Sequence, residues 1–459
     1  MPVLNPDIFR EYDVRGVVDK DLTPETVELL GRAYGTFLRG KGVTAAVVGR
    51  DPRPSSSTYA SVMARALTEC GVDVIDVGMV TTPAFYFSRV HYGIEGGVMV
   101  TGSHNPPEFN GFKLAYGHDT LFGDGIQELR RIAESGKFAS GAGRYSSRDP
   151  LPDYVDDLLT RISLGPHTVK PAFDAGNGAC GPVVHAVARR LGLDYLCLYC
   201  EPDGRFPNHH PDPVQPKNLV DLIAVVKKGA YSPGIAFDGD ADRIGVVDEF
   251  GTPVWGDELQ IIFWKEILER HPGALVLVEV KCSQALLDMV ERLGGKPQFT
   301  RTGHSLIKAK MRETGALFSA EVSGHMFFAD EYYGFDDALY AALRLLRIMS
   351  RTGKSVRELL SDVPKYYFTP ETRVFCPDRD KFRVVEELTA IFAKEHPVIT
   401  VDGVRVLFDD GWGLVRASNT QPALVLRCEG RTPEALSRIK KQIEDELKRF
   451  PSVADVKWD

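Results

Sequence analysis

Residues Gly97–Lys113 read Gly-Val-Met-Val-Thr-Gly-Ser-His-Asn-Pro-Pro-Glu-Phe-Asn-Gly-Phe-Lys. An apolar run followed by a turn dense in Gly, Asn and Pro predicts a short buried strand that ends in a stiff loop carrying Ser103. Gly102 lets the backbone approach a ligand, and Pro106 and Pro107 limit the freedom of the loop. Such a loop can present a serine nucleophile, although an isolated Ser-His pair outside a G-x-S-x-G elbow more often only closes a strand.

The sequence around this loop alternates between strand and helix patterns. Short strands are predicted over Ala45–Val48 and Val72–Val77, and a helix over about Ser57–Cys70. Another helix is predicted within Gly123–Gly136, after which Ser- and Gly-rich sequence up to Pro152 is interpreted as a linker. This alternation predicts an α/β domain.

The 459 residues are 43% hydrophobic and 26% charged, which is ordinary for a globular protein long enough for three or four domains. A net charge of -8 predicts no nucleic-acid or membrane partner, and the short apolar runs and the N-terminal sequence predict a cytoplasmic location. Seven cysteines favour reduced thiols over a disulfide framework. One C-x-x-C, Cys197 and Cys200, lies in a strand-like run without a second pair and is interpreted as structural.

A second loop carries three alternating aspartates between two strand-like runs. It reads Asp238-Gly-Asp-Ala-Asp-Arg243. Asp238, Asp240 and Asp242 offer hard oxygen ligands that can converge on one divalent cation, and without a cation they would repel one another. An EF-hand is excluded because the flanks are strands and Arg243 stands where that loop requires glycine. The pattern predicts a magnesium-type site.

Two other patterns do not predict a ligand site. The glycine-rich run Phe173–Gly181 precedes a helix but lacks both the G-x-G-x-x-G spacing and a Walker lysine, so it is interpreted as a tight turn. The adjacent His209 and His210 have no partner at metal-ligand spacing.

The loops around Ser103 (Thr-Gly-Ser-His-Asn-Pro-Pro) and Asp238–Arg243 together resemble those of the α-D-phosphohexomutases, in particular the bifunctional phosphomannomutase/phosphoglucomutase branch. The resemblance implies that Ser103 carries a phosphoryl group, and that the three aspartates bind Mg²⁺ together with an oxygen of that phosphoserine. Arg243 and Lys113 would add positive charge beside it.

Later segments contain further loops with counterparts in this family. The stretch Ala320-Glu-Val-Ser-Gly-His-Met is predicted to be extended, so that Glu321 and Ser323 face one side; it is similar to the family's sugar-recognition loop, which usually reads Glu-Met-Ser-Gly-His. His304, at a strand-to-helix turn, would be the acid/base group. The residues expected to bind substrate are Tyr12, Arg15, Lys281, Glu321, Ser323, His325, Arg416, Ser418, Asn419, Thr420 and Arg427.

The resemblance covers the whole chain, with one diagnostic loop in each of four segments. The expected fold is an α/β four-domain architecture, three similar α/β mixed-sheet domains plus a C-terminal α+β domain around a central cleft. The expected domains are residues 1–148 with the phosphoserine loop, 149–252 with the metal loop, 253–364 with the sugar-recognition loop and 365–459 with the phosphate-binding loop.

The implied reaction is reversible phosphoryl transfer between C1 and C6 of mannose and glucose phosphates, with glucose 1,6-bisphosphate as activator and intermediate. Ser103, His304, Arg243 and Lys113 would be catalytic. One alternative is a phosphoglucosamine mutase, whose loops usually read Ser-Ala-Ser-His-Asn-Pro and Glu-Gln-Ser-Gly-His. The other is a sugar-phosphate-binding protein without turnover, which need not keep Ser103 or the aspartates. The sequence predicts no particular protein partner.

Overall fold

A computed structural model describes residues 4–419 and 421–458. The chain divides into two compact units, Met1–Leu259 with Ser323–Leu359 and Gln260–Val322 with Leu360–Asp459. No helix in the described ranges is long and apolar enough to cross a membrane. The helices are α1 (Pro24–Gly40), α2 (Ser56–Glu69), α3 (Thr82–Tyr92), α4 (Asp124–Ser135), α5 (Leu151–Arg161), α6 (Gly181–Arg190), α7 (Val220–Lys227), α8 (Gly256–Arg270), α9 (Gln284–Arg292), α10 (His304–Thr314), α11 (Ala338–Thr352), α12 (Val356–Leu359), α13 (Asp378–Phe392) and α14 (Pro433–Leu447).

The first sheet carries the Ser103 loop. Its strands are β1 (Val14–Val17), β2 (Ala45–Arg50), β3 (Asp73–Met79), β4 (Gly96–Val100), β5 (Phe109–Tyr116), β6 (Asp119–Thr120) and β7 (Tyr145–Ser147). Their order is β1-β5-β4-β2-β3-β7, with β6 on β5. β2 runs parallel to β3 and β4, whereas β5 is antiparallel to β4 and β1, so the sheet is mixed as expected.

The linker predicted up to Pro152 is partly wrong, because Tyr145–Ser147 forms β7 and pairs in parallel with β3. The pattern was missed because all three residues of β7 are exposed and it therefore has no apolar face. Backbone hydrogen bonds hold the same stretch in place, since the N–H of Val74 in β3 donates to the carbonyl of Arg144 at 2.7 Å and the N–H of Gly143 donates to the carbonyl of Thr68 in α2 at 2.8 Å.

The second sheet carries the aspartate loop. Its strands are β8 (Ala172–Asp174), β9 (Leu196–Leu198), β10 (Gly234–Phe237), β11 (Ile244–Val247) and β12 (Pro253–Val254), in the order β12-β11-β10-β8-β9. β8 is parallel to β9 and β10, and β11 is antiparallel to β10. The aspartate loop is therefore the tight connection of a hairpin between two fully buried strands.

The second unit contains a parallel α/β part and an antiparallel part. In the first of these, β13 (Leu275–Glu279) pairs in parallel with β14 (Lys296–Thr300) and β15 (Phe318–Ala320); β16 (Met326–Phe328) belongs to the first unit. The other sheet contains β17 (Tyr367–Phe368), β18 (Thr372–Phe375), β19 (Val398–Ile399), β20 (Val404–Phe408), β21 (Gly411–Ala417) and β22 (Ala423–Gly430), all paired antiparallel.

Helices α13 and α14 supply apolar residues to the same core as this antiparallel sheet, including Val384, Leu388, Ile439 and Ile443. The expected α+β character of the C-terminal segment and the mixed sheets of the N-terminal ones are confirmed. The four domain boundaries stay a prediction.

The cysteines follow the expectation of reduced thiols only in part. Cys70, Cys180, Cys282, Cys376 and Cys428 are buried and carry reduced thiols. Cys197 and Cys200, however, are joined in a disulfide, so the prediction was wrong for this pair. Spacing alone could not reveal it, since a C-x-x-C suits a thiol pair, a disulfide or a metal site equally well.

A buried carboxylate organises the start of α11. Asp337 accepts a hydrogen bond from the N–H of Tyr340 at 2.8 Å, and the hydroxyls of Tyr154 and Tyr332 each donate to its Oδ2 at 2.7 Å. Burial raises the pKa of Asp337 to about 6, although the hydrogen bonds oppose this shift.

We expect the stability of the protein, measured relative to Asp337→Asn, to fall as the pH rises from about 4 to about 6. The folded state keeps the carboxyl proton up to the raised pKa and the unfolded chain has already lost it, so raising the pH in this window favours unfolding. The difference between the usual pKa of an aspartate and a pKa of about 6 corresponds to about 3 kcal/mol. Urea unfolding of both proteins across this range measures the difference, and parallel pH profiles would contradict the assignment.

Candidate active site

Ser103 lies in the loop between β4 and β5, at the end of a buried strand as predicted. Its φ of 48° is in the left-handed region, which costs a non-glycine residue conformational energy and is typical of functional loops. The N–H of Ser103 donates to Oγ1 of Thr101 at 2.8 Å, and its own hydroxyl donates to Oδ2 of Asp238 at 2.7 Å. The structure thus brings the serine loop and the aspartate loop into direct contact.

His104 shapes the loop beside the serine. Its Nδ1 lies 3.2 Å from Oγ of Ser103. Burial, followed by the positive charges of Arg243 and Arg15, holds the pKa of His104 well below its usual range. The ring is therefore neutral, and it can exchange a hydrogen bond with the serine without adding charge.

Arg53 supports the serine loop from behind, and the sequence analysis missed it. Its side chain is fully buried, and its Nε donates to Oδ2 of Asp51 at 3.1 Å. The guanidinium donates at 2.5 to 2.9 Å to four backbone carbonyls, those of Ser103, Asn105, Pro106 and Phe109. A Cβ on Gly102 would lie 2.5 Å from this guanidinium, so only glycine fits there. The signal was present in Arg50-Asp-Pro-Arg53, charged residues directly after a buried strand.

The three predicted metal ligands are completely buried. Lys113 donates to Oδ2 of Asp240 at 2.7 Å and also contacts Oδ2 of Asp242. The hydroxyl of Thr82, at the start of α3, donates to Oδ2 of Asp240 at 2.6 Å. Lys113 therefore compensates negative charge on the aspartate loop through direct contact with two of its carboxylates. The sequence had predicted only a positive charge nearby.

These contacts shift the pKa values of Asp238 and Asp240 in opposite directions. Burial, with the charges of Asp240 and Asp242, raises the pKa of Asp238 well above its usual range. Burial also acts to raise the pKa of Asp240, but the charge of Lys113 and the hydrogen bonds to Lys113 and Thr82 outweigh it and lower this pKa overall. Burial likewise opposes the ammonium of Lys113, and the two aspartates raise its pKa well above normal.

The donor set fits an oxygen-seeking divalent cation. One carboxylate oxygen from each of Asp238, Asp240 and Asp242 lies within 4.8 Å of the others. Among the described residues, no donor forms a hydrogen bond with Oδ1 of Asp240 or Oδ1 of Asp242, although both atoms are buried and Nδ1 of His325 lies 3.6 Å from the second. Unsatisfied buried carboxylate oxygens are costly, and hard oxygen ligands are those that Mg²⁺ prefers.

Arg243 and His325 continue the polar site away from the aspartates. Nε of Arg243 donates to Nε2 of His325 at 2.9 Å, and Nδ1 of His325 lies 2.9 Å from Oδ2 of Asp336. Nε2 accepts in this pair, so a neutral ring carries its proton on Nδ1. Asp336 is fully buried and was missed from the sequence because it follows β16 in a stretch without a recognisable motif.

In the second unit, Lys281 follows β13 as predicted. Its Nζ lies 2.9 Å from Oε2 of Glu371 and 3.4 Å from Oε1 of Glu279. Burial works against this ammonium, and the two carboxylates hold its pKa above the usual range. Its backbone carbonyl accepts a hydrogen bond from Nη1 of Arg427 at 2.6 Å, which joins two of the predicted substrate residues.

His304 begins α10, and the turn before it is tied to two other predicted residues. The N–H of Gly303 donates to Oε1 of Glu321 at 3.0 Å. The N–H of Thr302 donates to Oδ2 of Asp402 at 3.0 Å, and Nε of Arg416 donates to the same oxygen at 3.0 Å. Asp402, which the sequence analysis missed, therefore links the His304 turn to Arg416.

The extended stretch predicted around Glu321 and Ser323 is wrong. β15 ends at Ala320 and the chain turns directly afterwards, with Gly324 at a φ of 92°. A Cβ on Gly324 would lie 2.4 Å from the carbonyl oxygen of Ile244, so the turn depends on glycine. The alternation argument therefore does not place the two side chains on one side.

The predicted phosphate loop begins at the end of β21, since Arg416 is still within that strand. Nζ of Lys381 donates to the carbonyls of Ser418 and Gln421 at 2.6 and 3.1 Å, and this support was also missed. Asn419 is partly exposed, and Thr420 lies outside the described residues.

The predicted residues thus fall into two groups. Tyr12, Arg15, Ser103, Lys113, Asp238, Asp240, Asp242, Arg243, Ser323 and His325 belong to the first unit, where Tyr12 is buried and Nη1 of Arg15 donates to Oδ1 of Asn105 at 3.3 Å. Lys281, His304, Glu321, Arg416, Ser418, Asn419 and Arg427 belong to the second.

Comparison with known proteins decides the family. Models of phosphoglucomutase/phosphomannomutase match in chain order: alpha/beta/alpha domain I at residues 6–140, domain II at 152–251, domain III at 255–367 and the C-terminal domain at 371–446. The chain belongs to the phosphoglucomutase/phosphomannomutase family. The resemblance seen in the sequence is confirmed.

Individual family members are similar over nearly their whole length. A phosphomannomutase/phosphoglucomutase of Pseudomonas aeruginosa is 44% identical, covering 98% of this chain and 97% of that protein. A phosphoglucomutase of Neisseria meningitidis is 43% identical, covering 97% and 98%. The crystal structure of a family protein from Burkholderia thailandensis superposes with a TM-score of 0.92 at 40% identity, covering 97% of this chain and 98% of that one.

Arg53→Lys is expected to loosen the serine loop, because a lysine ammonium cannot reach four carbonyls with the planar guanidinium geometry. Loss of these buried hydrogen bonds is expected to lower the free energy of unfolding by about 2 kcal/mol and to speed amide exchange within residues 102–109. Hydrogen–deuterium exchange with mass spectrometry measures the second effect.

Arg50→Lys is the matched control, since Arg50 is only partly buried and its contact with Asp76 is 3.4 Å long. Equal exchange of the loop in both variants would show that Arg53 does not support it.

Proposed function

We propose that the protein is a phosphohexomutase that moves a phosphoryl group reversibly between C1 and C6 of mannose and glucose phosphates. The observation that carries this is the hydrogen bond of 2.7 Å from the Ser103 hydroxyl to Asp238, which places a strained loop serine on a buried triple-aspartate site. A sugar-phosphate-binding protein without turnover would have no use for this contact. The proposed location is the cytoplasm.

In the proposed reaction, phospho-Ser103 phosphorylates the free end of the bound hexose monophosphate. The resulting 1,6-bisphosphate turns around and returns its other phosphoryl group to Ser103, with glucose 1,6-bisphosphate also serving as activator. Phosphoryl transfer needs positioning and positive charge rather than covalent help. Asp238 orients the serine oxygen, and Arg243 and Lys113 supply fixed cations in the same unit.

We assign the metal role to Asp238, Asp240 and Asp242, with Ser103 as the fourth ligand residue. Mg²⁺ held there would stabilise negative charge that develops on the transferred group. The two buried carboxylate oxygens without a donor in the described chain support this assignment.

The second unit supplies the proposed sugar and phosphate contacts. His304 is assigned as the acid/base group for the sugar hydroxyl, and it is the first residue of α10, directly after the turn that Glu321 and Asp402 hold. Lys281 and Glu321 are assigned to sugar hydroxyls, and Arg416 with Ser418 to the phosphate that is not transferred. Burial of all four side chains, with ion pairs on Lys281 and Arg416, supports a preorganised surface of this kind.

The first test concerns the phosphoryl carrier. We expect the purified protein to carry a phosphate adduct on Ser103, and Ser103→Ala to lower mutase turnover by about 10³-fold or more because the nucleophile is lost. Intact-protein and peptide mass spectrometry locate the adduct. Ser61→Ala, which changes an exposed serine of α2, should behave as the wild type. Wild-type turnover in Ser103→Ala would overturn the mechanism.

The second test separates the substrate classes. Glucose 1-phosphate and mannose 1-phosphate should both be converted to 6-phosphates in the presence of Mg²⁺ and a trace of glucose 1,6-bisphosphate, and chelation of Mg²⁺ should stop both reactions. Much faster turnover of glucosamine 1-phosphate would favour a phosphoglucosamine mutase. Tight binding of all three sugars without any turnover would favour a binding protein.

A further inference from the structure

The C-x-x-C pair is not used by the proposed mutase reaction, yet it lies in the sheet that carries the aspartate loop. Cys197 is in β9 and Cys200 follows it, and the two form a disulfide. A ring nitrogen of His185 lies within 4.8 Å of both sulfur atoms. We propose that Cys197 and Cys200 are a reversible thiol–disulfide site that reacts with low-molecular-weight disulfides and thiols, and that its oxidation state changes the rigidity of the aspartate loop.

The residues between the two cysteines are bonded to the glycine-rich run Phe173–Gly181. The N–H of Ala175 donates to the carbonyl of Leu198 at 3.1 Å, and the N–H of Asn177 donates to the carbonyl of Tyr199 at 2.8 Å. Tyr199 has a φ of 50°, an unfavourable value for a tyrosine. Closing the C-x-x-C with a disulfide therefore restrains a strained segment that supports the glycine-rich run.

The glycine-rich run in turn supports the aspartate loop. The N–H of Ala179 donates to the carbonyl of Gly239 at 2.9 Å, and a Cβ on Gly178 would lie 2.7 Å from the same carbonyl oxygen. A Cβ on Gly239 would lie 2.5 Å from the carbonyl oxygen of Ser103. Backbone packed this closely transmits small displacements, so the link from Cys200 to the aspartates is short and continuous.

The two cysteines differ in their exposure to solvent, and this difference determines which sulfur reacts first. Cys197 is partly exposed, whereas Cys200 is 8% exposed. In oxidation, the Cys197 thiolate attacks one sulfur of an external disulfide, whose S–S bond breaks and releases one thiolate. The Cys200 thiolate then attacks Cys197, forms the internal disulfide and releases the second thiolate.

The two cysteine protons leave in this exchange, and the external disulfide is the oxidant that becomes two thiols. Reduction is the reverse, with two external thiols as reductant. The thiol protons leave to solvent; a ring nitrogen of His185 lies within 4.8 Å of both sulfurs, and its Nδ1 lies 2.7 Å from the hydroxyl of Tyr195.

The test uses the full-length protein equilibrated in glutathione redox buffers, from fully reduced to fully oxidised. Differential alkylation with mass spectrometry should show Cys197 and Cys200 closing together as the buffer becomes oxidising, while the five buried cysteines stay reduced. In the reduced protein, amides within residues 235–243 should exchange at least about fivefold faster, the lower end of typical coupling between two sites. Ser103→Ala should show the same difference, because the effect needs no turnover.

Cys197→Ser/Cys200→Ser should show the fast exchange in every buffer, and Cys376→Ser, which changes a free cysteine of the second unit, should respond as the wild type. A pair that stays open to alkylation in oxidised glutathione would overturn the redox site. Equal exchange in the two states would overturn its link to the aspartate loop. A reduced protein that retains one tightly bound zinc ion on His185 and the two thiolates would replace the redox site by a metal site.

An effect of the cysteine pair on Mg²⁺ binding rests on the proposed function, and it is measured separately from the exchange of the aspartate loop. If the aspartates bind Mg²⁺, reduction should raise the dissociation constant measured by calorimetry by at least about fivefold. Absence of Mg²⁺ binding in both redox states would count against the proposed metal role and would leave the alkylation and exchange results standing.

Discussion

The first unit buries three carboxylates on one turn, and the arrangement of the residues around them depends on compensating their charge. Like charges at this distance in a water-excluded site repel strongly unless cations and donors compensate them. Lys113 reaches Asp240 and Asp242 from the neighbouring sheet, Ser103 donates to Asp238, and Thr82 donates to Asp240 from the first turn of α3. Each compensating group comes from a different element, so the site exists only when the two sheets of the first unit are packed together.

The same contacts explain why the serine loop can be strained. A positive φ at Ser103 persists because the surrounding structure determines it. The N–H of Ser103 donates to the Thr101 hydroxyl, and its carbonyl accepts from the Arg53 guanidinium. Arg53 donates to four backbone carbonyls of the loop and pairs with Asp51, so it fixes the backbone of the serine loop from the side opposite the Thr101 hydroxyl.

The second unit uses another form of compensation. Lys281 and Arg416 are buried cations paired with Glu371 and Asp402 respectively, and Asp402 also holds the turn before His304 by accepting from the N–H of Thr302. Such pairs keep the cations charged and their side chains ordered before a ligand arrives, which reduces the entropy lost on binding. Glu371 lies 90 residues from Lys281 in sequence, and Asp402 lies 100 residues from Thr302.

Local sequence determined the elements and the loops that carry chemistry. The strand before Ser103, the hairpin around the aspartates, Lys281 after its strand and His304 at a helix start were all predictable, because each depends on residues close in the chain. Where the local signal was weak, the prediction was wrong, as for the exposed strand Tyr145–Ser147 and the glycine-dependent turn after Ala320.

Only the tertiary structure decided which side chains support those loops. Arg53, Thr82, Asp336, Asp402 and Lys381 have no motif of their own, and their roles come from contacts across long stretches of chain. The sequence by itself determined which chemical groups this protein has and where each sits on a strand, turn or helix. Their charge state and orientation depend on burial and on distant partners, and these exist only in the folded chain.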